Sequence, residues 1–473
     1  MTGADSAFAP ERRLLTVGLI GLVTAAAFEG MAVPTILPAL VLDFGGLDLY
    51  GWAFSAFWLT NIIGITLGGS DADRRGPARA FAIGVVLFAA GMLVCGVANG
   101  MPMVIAGRAI QGFGSGAIGS VVYAAIARAY PSSATPRMIA LVSSAWVVPG
   151  LIGPALAGTV TDALDWRWVF LGIVPPVIVM GLAVYPQLAR LGPAVAAAEG
   201  ARSDTNRAFD AVRLAVGSTL LLAALTTGLI PLAVALAGVG GWLVLGAVRH
   251  LLPPGALRLA RGRPSVAVAV FGIAFAFFGT ETFVPLTVVE VRGGSVTLGG
   301  VALSAAAVTW GAASWLQARA AAAGIRRTLV MAGAAIIGVG IVISSLVLLP
   351  GMPILVAAVG WAVAGLGMGL AYSMLALIML ETSTPGEEGF SSSAFQLMFT
   401  LGTAFGAGVG GAIVAVSEEG TLALAPAIGI VFGLMFVVSL LTLAVSTRAP
   451  RGPAAPGARL ERTIPSAMPL EHP

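Results

Sequence analysis

The chain alternates long apolar runs with short polar connections. Runs with almost no ionisable side chain recur along its first part, and about 20 such residues are what a helix needs to cross about 30 Å of hydrocarbon. The pattern therefore predicts helices that cross a membrane. Six of them are expected near 14–40, 51–69, 80–98, 102–127, 138–161 and 168–188.

A longer apolar stretch follows, from Leu214 to Val248, without a single charge. As one helix it would exceed the bilayer thickness, because a helix rises about 1.5 Å per residue. The segment Thr226–Pro231 contains the residues of a turn, so a hairpin of two helices is predicted. Arg213 and Arg249 at its two ends belong on one side of the membrane, which also requires an even number of crossings.

Six more spans bring the prediction to fourteen helices, near 265–288, 297–318, 328–349, 353–380, 391–415 and 422–446. The expected fold class is an all-α polytopic membrane protein with two six-helix bundles and an inserted hairpin. The tail is rich in proline, alanine and arginine, so we expect it to be disordered. The predicted segments are the N-terminus 1–13, a bundle 14–188, a linker 189–207, the hairpin 208–250, a connection 251–264, a bundle 265–446 and the tail 447–473.

Composition supports a membrane protein, with 58% hydrophobic and 10% charged residues and a mean hydropathy of +0.98. Soluble domains carry about 25% charged residues. The basic residues are arginines in loops, where membrane topology places them, so a nucleic-acid partner is not expected. Arginines cluster on one predicted side, and the other side carries Asp43, Asp48, Asp162 and Asp165 with only Arg167. The positive-inside rule therefore predicts both termini in the cytoplasm and a location in the inner (plasma) membrane.

The charged segment between the second and third spans carries the pattern G-x-x-x-D-R-x-G-x-x-R, at Gly69, Asp73, Arg74, Gly76 and Arg79. This pattern resembles the loop between the second and third helices of the major facilitator superfamily. The resemblance implies a conformational latch at the cytoplasmic ends of two bundles. In an outward-open state, Asp73 is expected to meet the helix that follows Glu387 and Glu388.

The first span contains Glu29 near its middle, where an ionised carboxylate costs at least about 2.5–3.5 kcal/mol. It needs a partner, a proton or water. Glu29 followed by Leu37-Pro38 resembles the first-helix motif of the family, and Arg108 with Gln111 and Gly112 resembles its R-x-x-Q-G-x-G fourth-helix motif. The resemblance implies that Glu29 and Arg108 pair and couple transport to protons. Glu281, in the ninth span, is a second candidate for this role.

The fifth span places Gly153, Pro154 and Gly158 on the frame G-x-x-x-G-P-x-x-G-G, although Pro149 and Ala157 depart from it. The frame resembles the fifth-helix signature of proton-coupled exporters of the superfamily, and Pro154 predicts a kink. The thirteenth span repeats the frame about 250 residues later, which favours two halves related by an axis along the membrane normal. Its glycines are Gly402, Gly406, Gly410 and Gly411.

The segment Asp165–Phe170 resembles the W-R-W-x-F start of the sixth helix in drug:proton antiporters, especially those with fourteen helices. Apolar and amide side chains in the spans are expected to line a cavity that accommodates varied substrates. They are Phe28, Met31, Gln111, Trp146, Phe278 and Trp310.

The sequence contains two histidines and no zinc-protease or phosphate-loop motif, so neither an enzyme nor a cofactor or metal site is expected. The resemblance implies a monomeric secondary transporter that exports amphipathic small molecules in exchange for protons across the lipid bilayer. Two alternatives stay open. One is a proton-coupled exporter of a single metabolite or lipid, and the other is a receptor or scaffold that kept the fold without transport.

Overall fold

The computed structural model describes residues 7–131, 133–192, 197–320, 325–383, 387–418 and 420–450. Within these residues all regular structure is helical, and fourteen segments are long and apolar enough to cross a membrane. The predicted fold class is therefore confirmed. The helices of the N-terminal half are α1 (Arg13–Phe44), α2 (Tyr50–Arg75), α3 (Pro77–Gly96), α4 (Met101–Ala129), α5 (Thr135–Ser144), α6 (Val147–Ala163), α7 (Arg167–Leu171) and α8 (Val174–Ala189).

The inserted hairpin consists of α9 (Ala197–Thr226) and α10 (Ile230–Leu251). The helices of the C-terminal half are α11 (Arg263–Glu281), α12 (Val284–Leu286), α13 (Val296–Ala320), α14 (Arg326–Ser345), α15 (Leu355–Glu381), α16 (Glu388–Glu418) and α17 (Leu424–Ser446). The hairpin turn falls within the break predicted from the sequence. Helix α9 begins inside the predicted linker, although its apolar membrane span covers Ala208–Thr226. Parts of the predicted N-terminus, linker and tail lie outside the described residues, and the segment boundaries stay predictions.

The two halves repeat one packing pattern. In the N-terminal half α4 packs against α2 and α3, and α1 packs against α6. In the C-terminal half α15 packs against α13 and α14, and α11 packs against α16. The halves meet through two equivalent pairs, α6 with α13 and α16 with α2. The helices that meet across the halves occupy equivalent positions in the two halves, which is the internal symmetry that the repeated glycine frame predicted.

The hairpin covers one of the two contacts between the halves, the contact of α2 with α16. Helix α9 packs against both α2 and α16, whereas α10 packs mainly against α9. The outer face of α10 is apolar and exposed, with Ile230 77% and Trp242 68% accessible. Such a face suits lipid, since hydrocarbon tails are as apolar as the side chains that meet them.

Three predicted spans are interrupted near prolines, including the sixth, where α7 ends at Leu171 and α8 begins at Val174, directly before Pro175 and Pro176. The fifth span breaks at Ala145 and Trp146, where one predicted helix becomes α5 and α6. Pro149 has no N–H to donate to the Ala145 carbonyl, which explains the break. Pro154, where the sequence predicts a kink, lies inside α6, and that kink stays a prediction.

The ninth span is interrupted directly after Glu281, where α11 ends. A turn at Thr282 and Phe283 leads into α12 and then into a short π-helix, Thr287–Val291. Pro285 lacks the N–H that would reach the Glu281 carbonyl in a continuous helix. Interruptions and π-helical turns of this kind often mark functional positions within long helices.

The helix bundle has two chemically different ends. We call one the arginine-rich end, where Arg12, Arg128 and Arg263 lie, and the other the acid-rich end, where Asp43, Asp48, Asp162 and Asp165 lie. At the acid-rich end Trp166 is buried and its indole N–H donates to Asp43 at 2.8 Å. Trp168, two residues later, is 56% exposed and free to contact the membrane interface.

Candidate functional site

The centre of the N-terminal half contains a buried ion pair. Glu29 on α1 and Arg108 on α4 are each 1% exposed, and the Arg108 guanidinium donates to the Glu29 carboxylate. The same guanidinium nitrogen donates to the Gln111 side-chain oxygen at 2.8 Å. Its Nε donates to the Ala53 carbonyl at 3.2 Å, and the group lies 4.3 Å from the centre of the Phe57 ring.

This arrangement satisfies the arginine more completely than the acid. Burying either charge alone costs several kcal/mol, so each residue depends on the other. The second carboxylate oxygen of Glu29 and the amide nitrogen of Gln111 make no hydrogen bond among the described residues. The Glu29 carboxylate supplies the negative charge that balances the buried Arg108 guanidinium.

Glu281 occupies a different place, in the C-terminal half at the end of α11. It follows Phe277 by one helical turn on α11, and the ring of Phe277 meets Trp361 of α15, which is fully buried. The indole of Trp361 stacks on Phe277 with 4.6 Å between ring centres. The structure therefore does not bring Glu281 into the ion pair of Glu29 and Arg108, and the two acids lie in different halves.

An aromatic cluster lies among α11, α13, α15 and α16 in the same half as this second acid. Phe278 and Trp310, both predicted to line a cavity, lie 6.4 Å apart by ring centres. Sequence reasoning missed five further members, because they come from three helices and share no motif. The spacing of four residues between two of them was the only signal of a common face. The five are Phe277, Trp361, Tyr372, Phe395 and Phe399.

The other predicted cavity residues lie elsewhere. Phe28 approaches Gly153 and Met31 approaches Gly150, so both belong to the contact between α1 and α6. Gln111 is bound to Arg108. Trp146 is 42% exposed at the break between α5 and α6. The structure thus joins only Phe278 and Trp310 of the predicted set into one aromatic surface.

The segment 69–79 is more helical than a loop. Helix α2 continues through Arg75, so Gly69, Asp73 and Arg74 lie on its last turns, and α3 begins at Pro77. The two helices are joined at Gly76, whose φ of +90° lies in the left-handed region that glycine favours. Proline at the first position of α3 suits a helix start, because its missing N–H would have no partner there.

Two charges of this segment, Asp73 and Arg79, pair within their own half. Asp73 accepts from Arg128 of α4 at 2.6 Å, and Arg79 lies 3.7 Å from Asp71. Glu387, which the sequence suggested as a partner across the bundles, accepts from Arg263 at 2.7 Å. In this conformation Asp73 and Arg79 therefore contact charges of their own half, and the latch stays a prediction.

The glycine frame lies where helices approach most closely. A Cβ on Gly158 would come within 2.6 Å of the Thr297 Cα, and one on Gly411 would come equally close to the Gly51 Cα. These are contacts between the two halves. Gly402 and Gly406 instead face α11 within the C-terminal half, and Gly410 faces Phe283. The Pro154 carbonyl lies against Gly300 of α13.

Hydrogen bonds also join the two halves at the acid-rich end and deeper in the bundle. The Asp48 N–H donates to Glu418 at 2.7 Å, and the Tyr50 hydroxyl donates to the Thr282 carbonyl at 2.8 Å. Deeper in the bundle, the Ser55 hydroxyl donates to the Ala404 carbonyl at 2.7 Å. The structure is thus closed between the halves at its acid-rich end.

The chain belongs to the Major Facilitator Superfamily, whose family model matches residues 18–359. By family and by the fourteen spans among its described residues it is a multi-pass membrane protein. An uncharacterized MFS-type transporter of Mycobacterium tuberculosis is 30% identical over 85% of this chain. The match covers 60% of that relative, so the chain spans well under the full length of the first curated relatives it resembles.

Two other proteins are similar to this chain, one in sequence and one in structure. The multidrug transporter protein MdtP of Bacillus subtilis is 26% identical over 85% of this chain and 75% of its own length. Among solved structures, the xylose transporter XylE from E. coli superposes with a TM-score of 0.60 at 15% identity, over 91% of this chain and 96% of that one. At 15% identity, the similarity to XylE shows only that the two chains share a fold.

Proposed function

We propose that the chain exports amphipathic small molecules in exchange for protons by alternating access. The buried pair of Glu29 and Arg108 carries this proposal, because an intramembrane acid held by a displaceable cation is able to bind and release a proton. The name of the MdtP relative, a multidrug transporter, supports the substrate class.

Each half contributes a different part to this cycle. In the N-terminal half, Glu29 takes up the proton and Arg108 stabilises its ionised form. In the C-terminal half, Phe278 and Trp310 present aromatic faces that bind apolar rings without strict geometry. Glu281 is the second titrating acid, and its closeness to these rings suits a substrate with a positive group.

The proposal includes an orientation and a location. The arginine-rich end faces the cytoplasm, following the positive-inside rule, and both termini lie there in the inner (plasma) membrane. The acid-rich end, where the halves touch, then faces outward. The residues Gly69, Asp73, Arg74, Gly76 and Arg79 act as a latch at the cytoplasmic end when the transporter opens outward. The transporter works as a monomer, since each half supplies the other's partner surface.

Reconstitution into proteoliposomes tests this function. The fluorescent cation ethidium is the probe, and an imposed pH gradient supplies the driving force. Uphill movement of ethidium coupled to proton flux in the opposite direction is expected. Ethidium flux without proton coupling would overturn antiport. Absence of flux for ethidium and for a panel of neutral amphiphiles would favour a single-substrate exporter or a scaffold instead.

A further inference from the structure

Tyr50 links the closed contact between the halves to the helix break beside Glu281. It lies at the start of α2 and is fully buried, and its hydroxyl donates to the Thr282 carbonyl at 2.8 Å. Its ring packs on Phe283 with 5.5 Å between centres. Both contacted residues form the turn that separates α11 from α12. A residue of one half therefore holds the turn that follows Glu281, a half-buried acid of the other half.

The turn needs this support because the regular helical bonds fail there. Pro285 cannot donate to the Glu281 carbonyl, so the backbone at the break has lost one of its ladder hydrogen bonds. The Thr282 side chain bonds back to the Phe278 carbonyl at 2.8 Å, which fixes the turn from one side. Tyr50 fixes it from the other.

We propose that Tyr50 is a positioning residue that makes the surroundings of Glu281 depend on whether the acid-rich end is closed. The inference rests on the proposed function, in which Glu281 exchanges a proton during the cycle. When the halves separate at this end, Tyr50 moves away with α2 and the turn after Glu281 loses its bond. The carboxyl then meets a looser and wetter environment. When the halves close, the bond re-forms and the turn after Glu281 is again held by Tyr50.

Few other ionisable groups lie on the elements packed around Glu281. Glu290 follows it on the π-helical turn, and Tyr372 is on α15 within the aromatic cluster. Glu418 lies at the far end of α16, where it binds the Asp48 N–H. The described helix α17 carries no ionisable side chain. Glu290 is the nearest competing acid along the chain, so it is neutralised in a control variant of the experiment below.

A closely matched control is available on the same helix. Ser55, also fully buried on α2, donates to the Ala404 carbonyl of the other half at 2.7 Å. Ser55→Ala and Tyr50→Phe each remove one hydroxyl that bonds a backbone carbonyl across the halves. Tyr50→Phe keeps the ring on Phe283. Of these two residues, Tyr50 contacts the turn after Glu281 and Ser55 does not. A general loosening of the interface should therefore affect both variants, whereas a loss of coupling to Glu281 should affect Tyr50→Phe alone.

The experiment measures how the opening of the acid-rich end depends on pH. Spin labels are attached at Leu42→Cys on α1 and Leu355→Cys on α15, two exposed positions in opposite halves, in a Cys95→Ala background. Distance distributions of the full chain are recorded in proteoliposomes between about pH 5 and pH 8, so that its carboxyl groups are compared in mildly acidic and near-neutral solution. The same is done for Glu281→Gln, Glu290→Gln and the double variant Tyr50→Phe with Glu281→Gln.

The wild-type chain is expected to shift its distribution with pH, and Glu281→Gln is expected to remove that shift. Tyr50→Phe should lose at least half of the shift, whereas Ser55→Ala and Glu290→Gln should retain it. The double variant should match Glu281→Gln alone. A full shift in Tyr50→Phe, or an equal loss in Ser55→Ala, overturns the role of Tyr50.

The same data separate this inference from the proposed function. If ethidium transport is proton-coupled but Glu281→Gln keeps the full pH response, the proposed antiport stands and the role of Tyr50 is wrong. If wild-type proteoliposomes show no proton coupling at all, the proposed function itself fails.

Discussion

The Asp162 carboxylate on the last turn of α6 binds the start of α13 through Thr297. It accepts from the Thr297 backbone N–H at 2.9 Å and from the Thr297 hydroxyl at 2.6 Å, and the Val296 N–H adds a third bond at 3.2 Å. A helix N-terminus has unbonded N–H groups and a partial positive charge, so a carboxylate is well placed there. Because α6 and α13 belong to different halves, this carboxylate helps to hold the acid-rich end closed.

Asp162→Asn should therefore favour the state that is open at this end. The amide keeps one acceptor but loses the charge, which is worth about 0.3–1 kcal/mol at a helix N-terminus. We expect a change of about two- to fivefold in the ratio of open to closed molecules, measured by spin-label distances between Leu42→Cys and Leu355→Cys. Asp165→Asn is the control, since Asp165 pairs with Arg167 in its own half. Equal effects in both variants would contradict this role.

Gly411→Ala should open the same end through steric contact. The added Cβ would come 2.6 Å from the Gly51 Cα, closer than two carbon atoms pack, so α2 and α16 must move apart. The expected result is a larger open fraction and slower ethidium export. Gly433→Ala on α17, where a Cβ meets nothing within 4 Å, should leave both unchanged. A wild-type distance distribution in Gly411→Ala would show that the halves do not touch there.

Glu29→Gln should abolish uphill export while leaving substrate binding measurable. Glutamine resembles the protonated acid in shape and hydrogen bonding but cannot ionise. Binding is measured by ethidium fluorescence in detergent, and export by proteoliposomes under a pH gradient. Glu281→Gln in the same assays shows whether one or two acids carry protons. Full pH-driven export by Glu29→Gln would remove Glu29 from the coupling mechanism.

Arg108→Leu should destabilise the protein more than the loss of both charges does. Removing the cation leaves Glu29 buried without its partner, which costs about 3–5 kcal/mol when the acid stays ionised. The double variant Arg108→Leu with Glu29→Gln has no uncompensated charge, so its thermal unfolding temperature in detergent should lie above that of Arg108→Leu alone. An additive loss in the double variant would mean that the two residues act independently.

Asp73→Asn tests the proposed cytoplasmic latch. If Asp73 holds the bundles together in the outward-open state, the variant shifts the population toward inward-open and impairs export. Its bond to Arg128 at 2.6 Å offers the local alternative, in which Asp73 only orders the end of its own bundle. Spin-label distances across the arginine-rich end decide between them, with Asp71→Asn as a neighbouring control. Unchanged distances together with wild-type export would leave the latch unsupported.

The sequence alone determined the membrane class, the number of spans and the inserted hairpin. These depend on local properties, namely the length of each apolar run and the charge at its ends, which do not require knowledge of neighbours. The positions of Glu29 and Arg108 within their spans also suggested a pair, because a buried charge needs an opposite one at similar depth. The glycine frame indicated close helix contacts for the same local reason.

Only the tertiary structure decided which helices supply those contacts. Tyr50 and Thr282 are far apart in the chain, and Asp162 reaches Thr297 across the halves, so neither contact leaves a pattern in the sequence. The same holds for the aromatic rings around Trp361, which three helices bring together. The spans of this chain consist largely of Gly, Ala and apolar residues. This composition is enough to make each segment a membrane helix, but it does not specify which helices are neighbours, because that depends on how their side chains pack.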